Sequence, residues 1–494
     1  MRVQLLYSHL NNPNATPPMG IISLGTYLKN KGVEVKLYDL SFDRDLTGWK
    51  KQLEEFQPGL IGISALTICI NPALEAAKLA KEVCPGAKII FGGPHPTALP
   101  EQTLADACVD FVCQGEGELT LLELVHALDT GRDVREVKGL FLKRHGEAFF
   151  TGARPYAEDL DELGIPEREL LPTFEKYLQL APGFPYLMPW TYLIVGRGCP
   201  FNCSFCQPML KKMFGQKVRM RSPEKVVEEM VYLVERYGVK SLYFADDTFV
   251  TNTNWVKNVC AGIKEKGINK KIVWMAQTNV NTLTDDMARS MHDAGCVFLA
   301  FGVESGNERI LKEVMNKNQN REQIKTAFRI CRDNGMLSEA ALIIGCAEDS
   351  VETINDTVSL VREIDPDIVD LHYMTPTPGS ELYSRYLDSQ ILEYKGWADP
   401  NRYTPGLLKL QNMSQEELLG MYDKVIEAYL YNKSIFRIKK HWFRWLWNLA
   451  SSNRSPERFF KLFILQFLML NSYNFNKLFK SLIRFKHRVE GRKD

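Results

Sequence analysis

Along the first 145 or so positions, short apolar runs alternate with longer stretches of helical periodicity. The runs Val3–Tyr7, Val33–Tyr38, Leu60–Ser64, Lys88–Phe91, Phe111–Cys113 and Gly139–Lys143 predict strands. Between them, Ile21–Lys31 puts Leu24 and Leu28 on one face at i, i+4, and Ala73–Lys81 predicts a second helix. Strands alternating with helices predict a Rossmann-like, doubly wound parallel sheet of the α/β class, with ligands beyond the carboxyl ends of its strands. Gly92-Gly93-Pro94-His95-Pro96 and Gly115-Glu116-Gly117-Glu118 follow strands directly and are the places to expect a cofactor. The glycines alone carry little weight, because their spacing is not G-x-G-x-x-G.

Residues 150–187 are rich in Pro, Glu and Leu with little periodicity and read as a linker between domains. Alternation then resumes with longer helices. Strands are predicted at Tyr192–Val195, Leu242–Ala245, Val273–Gln277, Phe298–Gly302, Ala340–Ile344 and Ile368–Tyr373. The helix Pro223–Tyr237 has Ser222 as cap, Pro223 at its first position and an apolar stripe of Val226, Met230, Leu233 and Tyr237. Six strand–helix units predict an open, partial (β/α)6 barrel whose site lies at the carboxyl ends of its strands. The expected division is 1–149, a linker 150–187, the barrel 188–405 and a helical region 406–494.

A chain of 494 residues is expected to hold two or three domains, and 45% apolar with 24% charged residues is ordinary for a soluble protein. MRVQLLYS runs straight into a strand without a signal peptide, so a reducing cytoplasm is expected, with cysteines as ligands or packing residues. The net charge of +1 hides an asymmetry: residues 431–494 hold 15 Lys+Arg against 3 Asp+Glu, and 14 of the 53 aromatic residues. Trp442, Phe443, Trp445 and Trp447 lie among Arg437, Lys439, Lys440 and Arg444. The run Phe459–Leu470, interrupted by Lys461 and Gln466, is too short to cross a bilayer. This tail fits a helix in a membrane interface, at the inner face of the membrane, or a cap on the acidic body; nucleic acid is not the expected partner.

The densest chemical signal is GRGCPFNCSFCQP, with Cys199, Cys203 and Cys206 at C-x3-C-x2-C. Three thiolates leave one iron of a four-iron, four-sulfur cluster open to another ligand. With 11 cysteines in the chain, roughly 0.005 accidental matches to this spacing are expected. Zinc also takes thiolates, but its motifs usually show two separated pairs. The other eight cysteines are scattered and read as small core residues.

These features resemble the radical S-adenosylmethionine (SAM) enzymes that carry an N-terminal cobalamin-binding (B12-binding) domain, over roughly residues 1–400. The triplet with Phe205 matches the family's cluster loop, and the resemblance implies that SAM chelates the open iron. It implies SAM contacts at Asp246 and Asp247 in Ala245–Phe249, at Glu304 and Ser305 in Gly302–Gly306, and at Ile343 and Gly345, with Glu348 beyond; Cys346-Ala347 departs from the usual pattern there. Thr375–Ser380 resembles the loop that closes the barrel. For cobalamin it implies Ser64, Thr67, Gly92, Gly93, His95, Thr97, Gly115, Glu116 and Gly117, together with Pro17–Gly20. No D-x-H-x-x-G segment occurs in this domain, which implies cobalamin without a histidine ligand, its lower face on Leu66–Asn71 with Cys69 nearby.

Plainer roles stand beside these. Asp246 and Asp247 could equally cap a helix, Glu304 form a salt bridge, His95 serve a turn, His372 line the barrel as readily as act as acid or base, and Arg219 and Arg221 close the rim. No catalytic residue is assigned beyond the cluster loop. The implied activity is methylation of an unactivated carbon, through a 5′-deoxyadenosyl radical and methylcobalamin, fed by a flavodoxin or ferredoxin. The substrate is expected to be a small molecule, membrane-soluble (isoprenoid, hopanoid or porphyrin-like) if the tail meets lipid. The alternatives are oxidative cyclisation or rearrangement without net methyl transfer, and a non-catalytic corrinoid or electron carrier.

Overall fold

The structure, a computed structural model, describes residues 1–8, 16–43, 45–180, 187–393 and 405–431. The basic tail and its expected contacts fall outside these residues.

Seven strands form the first sheet: β1 (Arg2–Tyr7), β2 (Glu34–Asp39), β3 (Leu60–Ser64), β4 (Lys88–Gly92), β5 (Phe111–Cys113), β6 (Leu140–Arg144) and β7 (Glu147–Phe150). Their order is β2-β1-β3-β4-β5-β6-β7. The first five are parallel, as expected. Alternate side chains feed two cores: Val3, Leu5, Leu60 and Ile90 on one face, Leu6, Ile61, Ile63 and Ile89 on the other. Strand order reverses between β1 and β3, so the crevice for a ligand opens at their carboxyl ends.

Two details depart from the sequence reading. The strand predicted at Gly139–Lys143 runs antiparallel to β5 and turns back through His145-Gly146 into β7, which was not predicted. Its sequence, EAFF, is too short to show alternation. The expected boundary at 149 therefore falls inside a strand.

The second sheet contains β8 (Trp190–Leu193), β11 (Ser241–Phe244), β12 (Val273–Thr278), β13 (Cys296–Glu304), β14 (Leu337–Ile344) and β15 (Ile368–Tyr373). Each strand adds beside its predecessor in parallel, giving a curled half-barrel. Leu242, Phe244, Trp274, Ala276, Leu299, Phe301 and Val303 pack under the helices. Their alternates, among them Tyr243, Gln277, Gly302 and Ile343, face the lumen. Tyr243 Oη donates to Gln277 Oε1 at 3.1 Å there. Two short strands, β9 (Gly196–Arg197) and β10 (Arg219–Met220), pair at the mouth.

The segment expected to be a linker is packed into the body. Tyr177 and Thr173 donate to Asp39 at the end of β2, and the Glu167 N–H donates to Thr26. Arg168 is fully buried and pairs with Glu229 of the helix Pro223–Tyr237, whose other oxygen takes Arg221. No helix among the described residues is long and apolar enough to cross a membrane.

Glu229→Ala leaves both guanidiniums without their shared buried partner. Denaturant unfolding should show a loss of about 3–5 kcal/mol, whereas the exposed Lys225→Ala should cost under about 1 kcal/mol.

Candidate cofactor site between the two sheets

The cluster loop leaves β9 and is held by distant parts of the chain. Ser204 N and Oγ donate to the carbonyls of Met315 and Val314 at 2.9 and 2.6 Å. Leu382 N and Glu381 N donate to the carbonyls of Ser204 and Gln207. Within the loop, Cys206 N and Gln207 N return to the Cys203 carbonyl at 3.0 and 2.8 Å. Cys199 Sγ lies 3.8 Å from Thr248 Oγ1 at the end of β11. The three thiols lie near enough to influence one another's ionisation, and Cys206 opens to solvent. Burial raises the Cys199 and Cys203 thiols, with the charge of Asp247 adding to this at Cys199 and those of Glu304 and Cys199 at Cys203. Ligation by these thiols releases their protons, since the thiolate is the ligand. No three His, Cys, Asp or Glu side chains among the described residues converge on a single ion. A cubane asks for something different, one thiolate for each of three irons, and the donor set Cys199, Cys203 and Cys206 fits it.

Beside the cysteines, a β-bulge at the end of β13 turns Glu304 to a positive φ of 63°. The buried Glu304 carboxylate accepts from Lys317 Nζ at 2.9 Å. Burial works against the Lys317 charge, but Glu304, Cys203 and Cys206 outweigh it and raise its pKa. Nζ also stands 6.0 Å from the Phe205 ring centre. Lys317 was not singled out from the sequence, where MNKNQN offers no strand-end signal. Gly302 makes room for this pair, since a methyl there would stand 2.8 Å from Nζ and against Glu304.

The other expected SAM residues divide. Asp246 is buried at the end of β11; its Oδ1 accepts from Val195 N and Gly196 N at 2.9 and 2.5 Å, and its Oδ2 has no partner. Burial pushes its carboxyl up to about 7, against the pull of those two N–H groups. Asp247 opens onto a cavity, and partial enclosure raises its carboxyl as well. Ser305 Oγ accepts from Asn307 N, and Gly345, at a φ of 81°, gives its N–H to Asp349. Ile343 faces the lumen, as does His372 of β15, which bonds Asp370 at 2.8 Å.

In the first sheet, a slot of about 210 Å3 opens at the ends of β1, β3, β4 and β5. It brings together Ser64, Gly92, Gly93, Gly115, Glu116 and Gly117 of the expected cobalamin residues. Missing side chains create this space: a methyl on Gly93 would stand 3.1 Å from Ser64 Oγ, and one on Gly117 3.0 Å from Leu24. An apolar slot floored by glycine backbone fits a flat heterocycle, such as the nucleotide base of cobalamin. Thr67, His95 and Thr97 brace the loops instead. His95 is buried 3.3 Å from Thr67 Oγ1, its pKa lowered by burial to about 4, and Thr97 Oγ1 accepts from Gly115 N. Cys69 is buried, while its neighbour Ile68 is exposed at the end of β3.

Glu116 turns toward the barrel rather than into open space. Its Oε1 meets Arg219 at 2.5 Å and Arg197 at 3.2 Å, while Arg197 also pairs with Glu118 at 2.5 Å. Burial alone would raise the Glu118 carboxyl, but the charge and hydrogen bonds of Arg197 outweigh it and hold the carboxyl below its usual value. Arg197 is two residues from Cys199. The loop after β5 is thereby bonded to the segment that begins the cluster loop.

Two outcomes follow. Between pH 3.8 and about 7, folded Asp246 keeps a proton that the unfolded chain releases, so its contribution to stability falls as pH rises through that window. Asp246→Asn removes this dependence, and its stability relative to the parent should rise between about pH 4 and about pH 7 in denaturant titrations. Gly302→Ala should separate Lys317 from Glu304 and weaken SAM binding by the reconstituted protein about tenfold in equilibrium dialysis.

Comparison with known proteins agrees with this arrangement. The sequence profile of the Radical SAM superfamily matches residues 193–361, and that of the B12 binding domain matches residues 11–125. An uncharacterised methyltransferase of Pyrococcus horikoshii is 33% identical over 424 residues, 85% of this chain and 89% of its own length. An anaerobic magnesium-protoporphyrin IX monomethyl ester cyclase of Rubrivivax gelatinosus is 29% identical over 448 residues, 87% of this chain and 77% of its own. The fold is shared with the radical SAM methyltransferase TsrM of Kitasatospora setae, at a TM-score of 0.68 and 19% identity over 78% of each chain. The chain belongs to the radical SAM superfamily, as an enzyme that joins a B12-binding domain to a radical SAM domain and uses a [4Fe–4S] cluster, SAM and cobalamin.

Proposed function

We propose that the enzyme is a methyltransferase that transfers a methyl group to an unactivated carbon of a small molecule. The observation that carries this reading is the Arg197 bridge, which ties the cobalamin slot to the cluster loop so that a substrate can meet both cofactors. When bound, the cluster with SAM supplies a carbon-centred radical that removes hydrogen, and cobalamin supplies the methyl group. The chain's own work is to bind, orient and enclose.

Cys199, Cys203 and Cys206 hold the cluster and leave one iron open. Lys317 presents a fixed positive charge beside them, suited to a ligand carboxylate. The Asp247 carboxylate on the cavity wall suits an ammonium, whereas Asp246 acts through the loop it braces. Glu304 orients Lys317 and keeps its remaining lone pairs for hydroxyl groups. Ser64, Gly92, Gly93, Gly115 and Gly117 form the cobalamin slot, Glu116 fastens it to the barrel, and Thr67, His95 and Thr97 shape its loops. Ile68, exposed beyond the end of β3 and without a donor atom, would offer the corrin an apolar contact. Phe205, Ser305, Ile343 and Gly345 complete the SAM surroundings.

In this reading residues 1–150 form the cobalamin-binding unit and 188–405 the radical SAM unit, a flavodoxin or ferredoxin supplies electrons, and the protein works in the cytoplasm. A contact of the tail with the membrane belongs to the same proposal; deleting 431–494 should then abolish sedimentation with anionic vesicles. Ring closure without net methyl transfer is the second reading, favoured by the cyclase from Rubrivivax gelatinosus at 29% identity.

Methyl-deuterated SAM separates the two. The anaerobically reconstituted, reduced enzyme should form 5′-deoxyadenosine and place deuterated methyl in the product. Label found in methionine alone, with product formed, would establish ring closure. Cys199→Ala, Cys203→Ala and Cys206→Ala should each lower iron content and abolish SAM cleavage.

A further inference from the structure

A second cavity, of about 200 Å3, lies where the first turns of the helix Met19–Asn30, the segment 160–166 and the ends of β8 and β11 meet. Its wall carries four charged residues: Arg197, Arg221, Asp246 and Asp247. Arg197 is engaged with Glu116 and Glu118, and Asp246 Oδ1 with two backbone N–H groups. Arg221 differs. It is 5% exposed, its Nη1 donates to Glu229, and its Nε and Nη2 have no hydrogen-bond acceptor. Those two nitrogens are the side-on edge of the guanidinium, the edge that binds a carboxylate or phosphate through two parallel hydrogen bonds.

The ionic partners of Arg221 leave that edge open. Arg168 and Arg221 are buried around one buried carboxylate, that of Glu229. The nearest other anion, Asp161, comes no closer than 4.0 Å to Nε, and its oxygens accept from Ser222 N at 3.1 and 3.3 Å. A buried guanidinium with two donors that make no hydrogen bond is costly unless an acceptor completes it.

We propose that Arg221 is an anion subsite of this cavity, taking a carboxylate or phosphate-type group of a small molecule held between the two sheets. This deepens the methyltransferase reading and rests on it for the identity of the site. It assigns the substrate to molecules carrying such a group, unless the group is the phosphodiester of the cobalamin nucleotide loop. Asp247 on the same wall leaves room for a cationic group alongside.

The test uses the reconstituted holoenzyme with inorganic phosphate as probe, by isothermal titration. The parent should bind phosphate, Arg221→Gln should bind it at least about tenfold more weakly, and Arg221→Lys should fall between them. Arg221→Gln leaves Arg168 and Glu229 as a one-to-one pair, and iron and cobalt contents report whether the variant is folded. Hydroxocobalamin and cobinamide, which lacks the phosphodiester, separate the two sources of the anion. A lower affinity of Arg221→Gln for hydroxocobalamin alone assigns the anion to the cofactor; unchanged affinity for both assigns it to the substrate. No phosphate binding by the parent together with an unchanged hydroxocobalamin affinity in Arg221→Gln, or equally tight phosphate binding by all three proteins, overturns the subsite. Formation of 5′-deoxyadenosine in the same samples reports separately on the methyltransferase reading.

Discussion

Arg197 is the joint on which this architecture depends. Its guanidinium meets Glu116 and Glu118 from the loop after β5, and its backbone begins the cluster loop. Two parallel sheets each offer a ligand site at the carboxyl ends of their strands. Chemistry that uses both sites needs those ends to face each other at a fixed separation. A largely buried, multiply bonded arginine between two carboxylates sets that separation more firmly than apolar contact would, because its geometry is directional. Arg219, bonded to Glu116 and to the Phe214 carbonyl, extends the joint to the far end of the cluster loop.

Local sequence does not hold the cluster loop in place. Its backbone groups and the Ser204 hydroxyl find partners in Val314, Met315, Glu381 and Leu382, more than 100 residues away. The completed barrel therefore helps to shape the loop. Lys317 follows directly on this anchoring turn, which brings a permanent positive charge beside the thiols.

Much of the framework was legible in the sequence. The two sheets, the parallel sense of β1–β5 and of the second sheet, and the order of elements follow from apolar runs alternating with helical stripes, and the helix Pro223–Tyr237 begins where Ser222 and Pro223 demand. The cysteine spacing and the glycine-rich strand ends marked the candidate cofactor sites. What escaped were contacts made by tertiary neighbours. Glu116 read as a cofactor contact because it sits in a loop, whereas its partners Arg197 and Arg219 lie in another domain. Lys317 carries no signal in the sequence, and Arg221 reads as a residue closing the rim until its burial shows two nitrogens without an acceptor. The strand β7 is too short for its pattern to be seen.

Burial is common to the charged groups of this site, and their partners decide its effect. Asp246, with two N–H donors and no cation, holds its proton up to about pH 7. Lys317, between a carboxylate and two thiols, keeps its charge despite desolvation. The site therefore carries one acid near neutrality and one fixed cation within a few residues of the cluster loop, both oriented before any ligand arrives. Groups fixed in this way need little reorganisation when a charged ligand binds, and water does not screen them. That suits an enzyme whose reactive chemistry belongs to its cofactors: the protein's task is to hold charged ligands in one arrangement and to keep solvent away from the radical.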